Sequence, residues 1–302
     1  MQWRNVFGWA AVALTTIFAC FWGFWGSIEN FHEGWYFSSF WMNVGLMFIQ
    51  YLLFALLLMA LGSVSIFFPR IGALVYLAAA VAIPLFFIRT SAATLMLALP
   101  LAITGILMWF GRPTPRKRAL FTVLCVPLVV IVGFAVEPAI KVANRYDDGN
   151  YGARLVEGNG VRLCWAPEGP GWPTQSSNLR EASWDDVSRI CRYLKEDGTS
   201  LADTPQNIWR LPTLDEAVRS SVHHGTNAGG VWDSVTHAPV YREAPDKESP
   251  LWKVHSPVIY WWTSTVVNDS MAYRIVYNGG AQVLPKKMRM GDLGFRAVKE
   301  VR

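Results

Sequence analysis

The side chains able to do chemistry lie mostly in the C-terminal half of the chain. Four of its five histidines, His223, His224, His237 and His255, fall there, close to Asp233. Histidine and carboxylate side chains are the ordinary ligands of zinc. A site from His237, His255 and Asp233 would have to be folded out of one irregular segment. His223 and His224 fall at the end of a predicted helix, where a positive side chain suits the dipole. Solvated or loop-packing histidines explain these positions without an ion, so neither a metal nor a cofactor is expected. Near the N-terminus, Glu29, His32 and Glu33 have helical spacing but are too few to argue a metal site. An enzyme would require Arg210, His224 and Asp233 to converge with shifted pKa values. Aromatic platforms for a sugar or peptide are a further option: Trp232, Tyr241, Trp252, Trp261 and Trp262 lie in or near the segment Gly225–Pro257. Strand alternation predicts that Trp261 and Trp262 point to opposite faces, one into the core and one toward a ligand. The candidate ligand-binding set is therefore His224, Asn227, Trp232, Asp233, Tyr241, Trp252 and Trp262.

These residues need a scaffold, and the composition divides it in two. Apolar residues make up 52% of the 302, and charged residues only 16%, against about a quarter in ordinary soluble proteins. Ten charged side chains precede Lys141; 20 basic and 19 acidic ones follow from there on. Residues 1–140 thus read as a transmembrane bundle, 141–156 as a linker and 157–302 as a soluble domain. The soluble half is near neutral, so the net charge of +5 does not imply a nucleic-acid partner. The bilayer is the expected partner of the first half.

Runs of about 20 apolar residues occur at Val6–Trp25, Trp41–Phe68, Ile71–Ile88, Ser91–Phe110 and Leu120–Pro138, predicting an all-α bundle of five transmembrane helices. The first run lacks a small-x-small cleavage site and reads as a retained helix. Arg4, Arg70 and the group Arg112, Arg116, Lys117 and Arg118 fall in loops on one side, while Glu29, Glu33 and Arg89 fall on the other. Positive residues stay inside. The expectation is a multi-pass protein of the cell membrane with a cytoplasmic N-terminus. An odd number of spans then places the C-terminal domain outside. No ionisable group sits in mid-span, which argues against a transport path. Asn43 and Gln50 share a face of the second run and suit interhelical hydrogen bonds.

The soluble half reads as α+β. Val161–Trp165 is strand-like, and Ala166–Pro173 is turn-rich. Ser183 caps a helix carrying Val187, Ile190, Cys191 and Leu194 on one face, and Thr213 with Glu216 makes a capping box for a second. That helix should run to about His224–Gly225. The irregular Gly225–Pro257 follows, then strands at Val258–Thr265, Met271–Asn278, Ala281–Leu284 and Gly294–Val298, with Asn278–Gly280 as a turn.

Four strings in this half resemble the bacterial Lcl C-terminal-type domain. W-R-L-P-T-L-D-E-A at Trp209–Ala217 is similar to its G-W-R-L-P-T-x-x-E-L signature. Y-W-W-T-S-T at Tyr260–Thr265 is similar to its Y-W-S-S-T strand, and G-F-R-A-V-K at Gly294–Lys299 to its closing V-R-C-V-R strand. Ala182–Cys191 resembles the helix preceding the signature. The resemblance implies a C-type-lectin-like fold, related to that of the formylglycine-generating enzymes, for about Glu157–Lys299. Within it, Arg210, Pro212, Thr213 and Glu216 would be structural: a loop-carboxylate anchor, a rigid turn and a helix cap. The cysteine pair of the formylglycine-generating type is missing, since no cysteine follows Cys191. The calcium-dependent lectin motifs are matched only loosely, by E-A-P-D at Glu243–Asp246 and V-N-D at Val267–Asp269. Where the family carries a closing-strand cysteine this chain has Ala297, so the resemblance leaves Cys164 as the partner for a disulfide with Cys191.

The function expected from these readings is a membrane-anchored, extracytoplasmic binding module for a glycan, a peptide or a partner protein in the membrane. The alternatives are a structural subunit of a membrane complex and an enzyme with unrecognised chemistry in the cleft beside the long segment.

Overall fold

A computed structural model describes residues 2–86, 91–167 and 183–301. Ile88, Arg89, Ala182 and the part of the turn-rich segment after Pro167 lie outside the described residues. Two compact units divide the chain at Val142/Ala143, with Tyr36–Ser38 belonging to the second.

The first unit is helical: α1 (Gln2–His32), α2 (Phe40–Leu46), α3 (Leu53–Phe67), α4 (Pro69–Phe86), α5 (Ser91–Phe110) and α6 (Arg116–Ala143). Among the described residues, α1, α4 and α6 are long and apolar enough to cross a membrane. The second predicted run is not one straight helix. A π-helical turn at Met47–Tyr51 separates α2 from α3, and the two segments meet at 64°. No proline sits at this bend, which is attributable to the widened turn. If the bent pair is one span the number rises to four. Glu29, expected in a loop after the first span, lies instead in α1, which is helical as far as His32.

Small residues let these helices approach closely. A Cβ on Gly62 of α3 would come within 2.8 Å of the Thr15 side chain on α1 and 2.9 Å of Val123 on α6. The outward face is apolar: Trp41, Ile49, Phe86 and Val129 are all more than two-thirds exposed. That inversion suits a lipid environment and not water. The loop between α5 and α6 is tied to the start of α1. The Arg112 N–H donates to the Arg4 carbonyl at 2.7 Å, and Asn5 Oδ1 accepts from Thr114 N–H at 2.7 Å. Arg4 and the Arg112–Arg118 group therefore share one end of the helical unit.

The second unit is β-rich. It holds β1 (Arg154–Gly158), β2 (Val161–Trp165), α7 (Trp184–Tyr193), α8 (Leu214–Ser220), β3 (Val222–His223), β4 (Thr226–Asn227), β5 (Val231–Asp233), β6 (Ala238–Val240), β7 (Tyr260–Val266), β8 (Met271–Val276), β9 (Ala281–Pro285), β10 (Leu293–Gly294) and β11 (Val298–Glu300). One sheet has the order β1-β2-β11 and the other β10-β7-β8-β9, with β3-β4 and β5-β6 as separate hairpins. The closing strand read at Gly294–Val298 is two short strands in different sheets. The residues read as a linker are also more structured than expected. Arg145 pairs with Asp246 at 3.0 Å, Arg154 with Asp148 at 2.7 Å, and β1 begins at Arg154.

Both helices carry the caps their sequences announce, but α8, expected to run to His224–Gly225, ends at Ser220, where the chain turns into the β3–β4 hairpin. Ser183 accepts from Asp186 N–H and Thr213 from Glu216 N–H, and each acidic side chain returns the bond to its cap residue. Such a cap contributes about 1 kcal/mol. The core is unusually rich in tryptophan, with Trp165, Trp209, Trp261 and Trp262 all fully buried.

Cys164 and Cys191 are free thiols, so the expected disulfide is not formed. On β2, Leu163 and Trp165 are buried and Cys164 between them is less so. Cys164 is partly buried and packs against the core that holds Cys191, from the strand face opposite Leu163 and Trp165.

Candidate binding cleft

Three of the strings that carried the resemblance meet in space. Arg210 forms an antiparallel bridge with Val298, N–H to carbonyl at 3.0 and 2.8 Å. The Pro212 carbonyl accepts from Ser264 N–H at 2.8 Å, and Thr265 Oγ1 accepts from Leu214 N–H at 2.9 Å. The turn before α8 is thereby fixed against β7 on one side and the closing strand on the other. Arg210 grips a helix carboxylate and not a loop one: its two terminal nitrogens donate to Glu216 Oε2 and Oε1 at 2.7 and 2.6 Å, and a third contact reaches Glu300 at 3.3 Å. The fork of two parallel bonds is the strong form of this pair. Glu216 is held below its ordinary pKa. Its partial burial is the largest influence and acts upward, but Arg210 and the Thr213 N–H together outweigh it.

Beside this joint lies an open cleft of about 340 Å³, lined by Thr213, Leu214 and Asp215 of the α8 turn, Trp232 and His237 of the β5–β6 hairpin, and Thr265, Val266, Val267 and Tyr273 of the β7–β8 pair. The volume lies within the range of small-ligand pockets, about 300–1,000 Å³. Trp232 and Tyr273 form its aromatic wall, edge to face with centroids 5.7 Å apart at 74°. Asp215 is held by Arg219 at 2.7 Å but keeps 47% of its side chain exposed. The hairpin that carries Trp232 is set by its loop. Asp233 accepts from Val235 N–H at 2.8 Å and from Thr236 Oγ1 at 2.7 Å, and His237 has φ 50°. A smaller recess near Trp252 and Arg296 holds about 10 Å³, room for about one water.

The expected site residues separate into distinct environments. Trp232 lines the cleft, and Asp233 shapes its hairpin. Tyr241 is partly buried and donates from its hydroxyl to the Gly279 carbonyl at 3.0 Å; burial pushes its pKa up to about 12. Asn227 donates to the Arg219 carbonyl at 2.7 Å and accepts from Gly229 N–H, a structural role. Trp252 and Trp262 are both buried, and neither is available to a ligand. Alternation failed for Trp261 and Trp262 because β7 is covered on both faces. Trp261 meets Trp165 and Trp252, while α7 and α8 also pack on this strand. Arg210, His224 and Asp233 do not converge: their partners are Glu216, Glu248 and Thr236 respectively.

The sequence reading missed Asp215, Thr265 and Tyr273 as cleft residues. Tyr273 alternates on β8 like a core residue, and only the packing of the β5–β6 hairpin makes it a wall. Also missed was Glu248, which lies with His223 and His224 such that one ligand atom from each falls within 4.8 Å of the others. Their separation in sequence gives no local signal. Compared with protein families, with curated proteins and with solved structures, the chain matches none of them.

Proposed function

We propose that this protein is a membrane-anchored binding module whose C-terminal unit, with a C-type-lectin-like fold, takes a glycan in the Trp232–Tyr273 cleft. The helical unit is its anchor, with five spans: α1, the bent α2–α3 pair, α4, α5 and α6. The N-terminus is cytoplasmic and the β-rich unit lies outside. The arginines gathered at one end of the helical unit support that orientation through the positive-inside bias.

One observation carries the binding reading: an open cleft that pairs two aromatic side chains with Thr213, Asp215, His237 and Thr265. Sugar rings present apolar C–H faces and a rim of hydroxyls, so they need both an aromatic surface and polar partners. The meeting of the three resembling strings at Arg210, Pro212 and Ser264 supports the fold reading. The test is a glycan array probed with the full chain in lipid nanodiscs, followed by titration of the best ligand. Trp232→Ala and Tyr273→Ala should each weaken binding at least tenfold while thermal unfolding stays close to the parent. Absence of any glycan ligand, or unchanged affinity in both variants, would overturn the reading.

A further inference from the structure

We infer that His223, His224 and Glu248 form a divalent transition-metal site, which shares no residue with the glycan cleft. Adjacent residues on a regular strand point to opposite faces. These two histidines escape that rule because the strand ends between them. β3 and β4 are joined by a two-residue turn, His224–Gly225, with φ 47° and 75°, and His223 pairs with Thr226 across it. Positive φ at both central positions is the mark of a type I′ hairpin turn. Histidine in this conformation is uncommon. The turn brings the two imidazoles together, centroids 4.1 Å apart and inclined at 46°. Gly225 cannot be replaced cheaply, since a Cβ there would lie 2.9 Å from the Tyr146 ring.

Glu248 completes the set from a distant loop. Its side chain is 1% exposed. Its oxygens accept from the backbone N–H groups of His224, at 2.5 Å, and Tyr146, at 3.2 Å. His224 Nδ1 lies 3.4 Å from Oε1. The neighbouring cations are engaged elsewhere: Arg145 binds Asp246, and the Lys247 ammonium donates to the Ser256 carbonyl. A buried carboxylate needs compensating charge, and among the described residues its side-chain partners are one imidazole and two backbone amides.

A second observation points to a ligand. His223 Nδ1 is buried and has no hydrogen-bond partner among the described residues. An imidazole nitrogen that meets neither a donor nor an acceptor can offer its lone pair to a metal ion. Two histidines and one glutamate are a sufficient protein set for Zn²⁺ with one position left open. Tetrahedral coordination needs ligand atoms roughly 3.4 Å apart, closer than the 4.8 Å limit within which the three now fall. His224 is 58% exposed and free to turn inward, so the hairpin can close on the ion. Its exposure also leaves the fourth position facing solvent, where a water or a donor from another molecule would bind.

The test uses the full chain in detergent, stripped with chelator, and Zn²⁺ as the probe. Calorimetry should show one ion per chain, and Co²⁺ substitution should give visible absorption bands of a low-symmetry four-coordinate site. His224→Asn is the informative variant, because asparagine tolerates positive φ and keeps the turn while removing the imidazole. It should lose at least tenfold in zinc affinity, as should His223→Ala; the exposed His255→Ala should not. Saturating Zn²⁺ should raise the melting temperature of the parent and not of His224→Asn. Glu248→Gln is secondary, since it also disturbs the backbone bonds. No binding by the parent, parent-like affinity in His224→Asn, or loss in His255→Ala would each overturn the site.

Discussion

Trp252 lies face to face on Trp261, ring centroids 3.6 Å apart and planes inclined at only 12°. The long segment before β7 is thereby anchored in the core by its own aromatic side chain. Trp252→Ala should destabilise the β-rich unit by about 3–5 kcal/mol, the range for large-to-small changes of buried aromatics. Thermal unfolding followed by near-ultraviolet circular dichroism measures it. A loss below about 1 kcal/mol would show that the stack is not part of the core.

Acid should weaken the segment that precedes β1. Asp148 is held down to about 2 from its ordinary 3.8, chiefly by the bond from Arg154. A carboxylate depressed in the folded state adds stability that is present above the unfolded value and lost as pH falls through the folded one. The window is therefore about pH 4 down to 2. Asp148→Asn should flatten the pH dependence of the melting temperature in that window. An unchanged slope would remove Asp148 from the account.

Burial pushes the Cys191 thiol up to about 12. A thiol that does not ionise is a poor nucleophile. In the folded protein at pH 8, Cys191 should resist iodoacetamide and become labelled only in denaturant. Mass spectrometry without reductant should show no Cys164–Cys191 bridge. Rapid labelling of Cys191 in the native state, or a bridged peptide, would contradict the packing described.

The proposed orientation makes opposite demands on two fusion points. A reporter active only outside the cytoplasm should be active after Arg302 and silent after Arg118. The reverse pattern would invert the bundle, and activity at both points would change the number of spans.

Sequence alone determined the division of the chain into an apolar helical part and a β-rich part of mixed composition, because charged side chains are sparse before Lys141 and frequent after it. It also determined where both capped helices begin, since a cap and its acidic partner three residues on are local chemistry, and most strands of the second sheet; it did not determine where α8 ends. Local signals could not register the bend at Met47–Tyr51, where apolar side chains continue unbroken while the hydrogen-bond ladder widens. Nor could they place Trp262 or Trp252 in the core, because alternation describes a sheet with one buried face and β7 is covered on both. The cleft between Trp232 and Tyr273, and the approach of Glu248 to His223 and His224, were decided by tertiary structure alone. Each joins residues from elements remote in sequence, and their distance is set by how those elements pack around the tryptophan core.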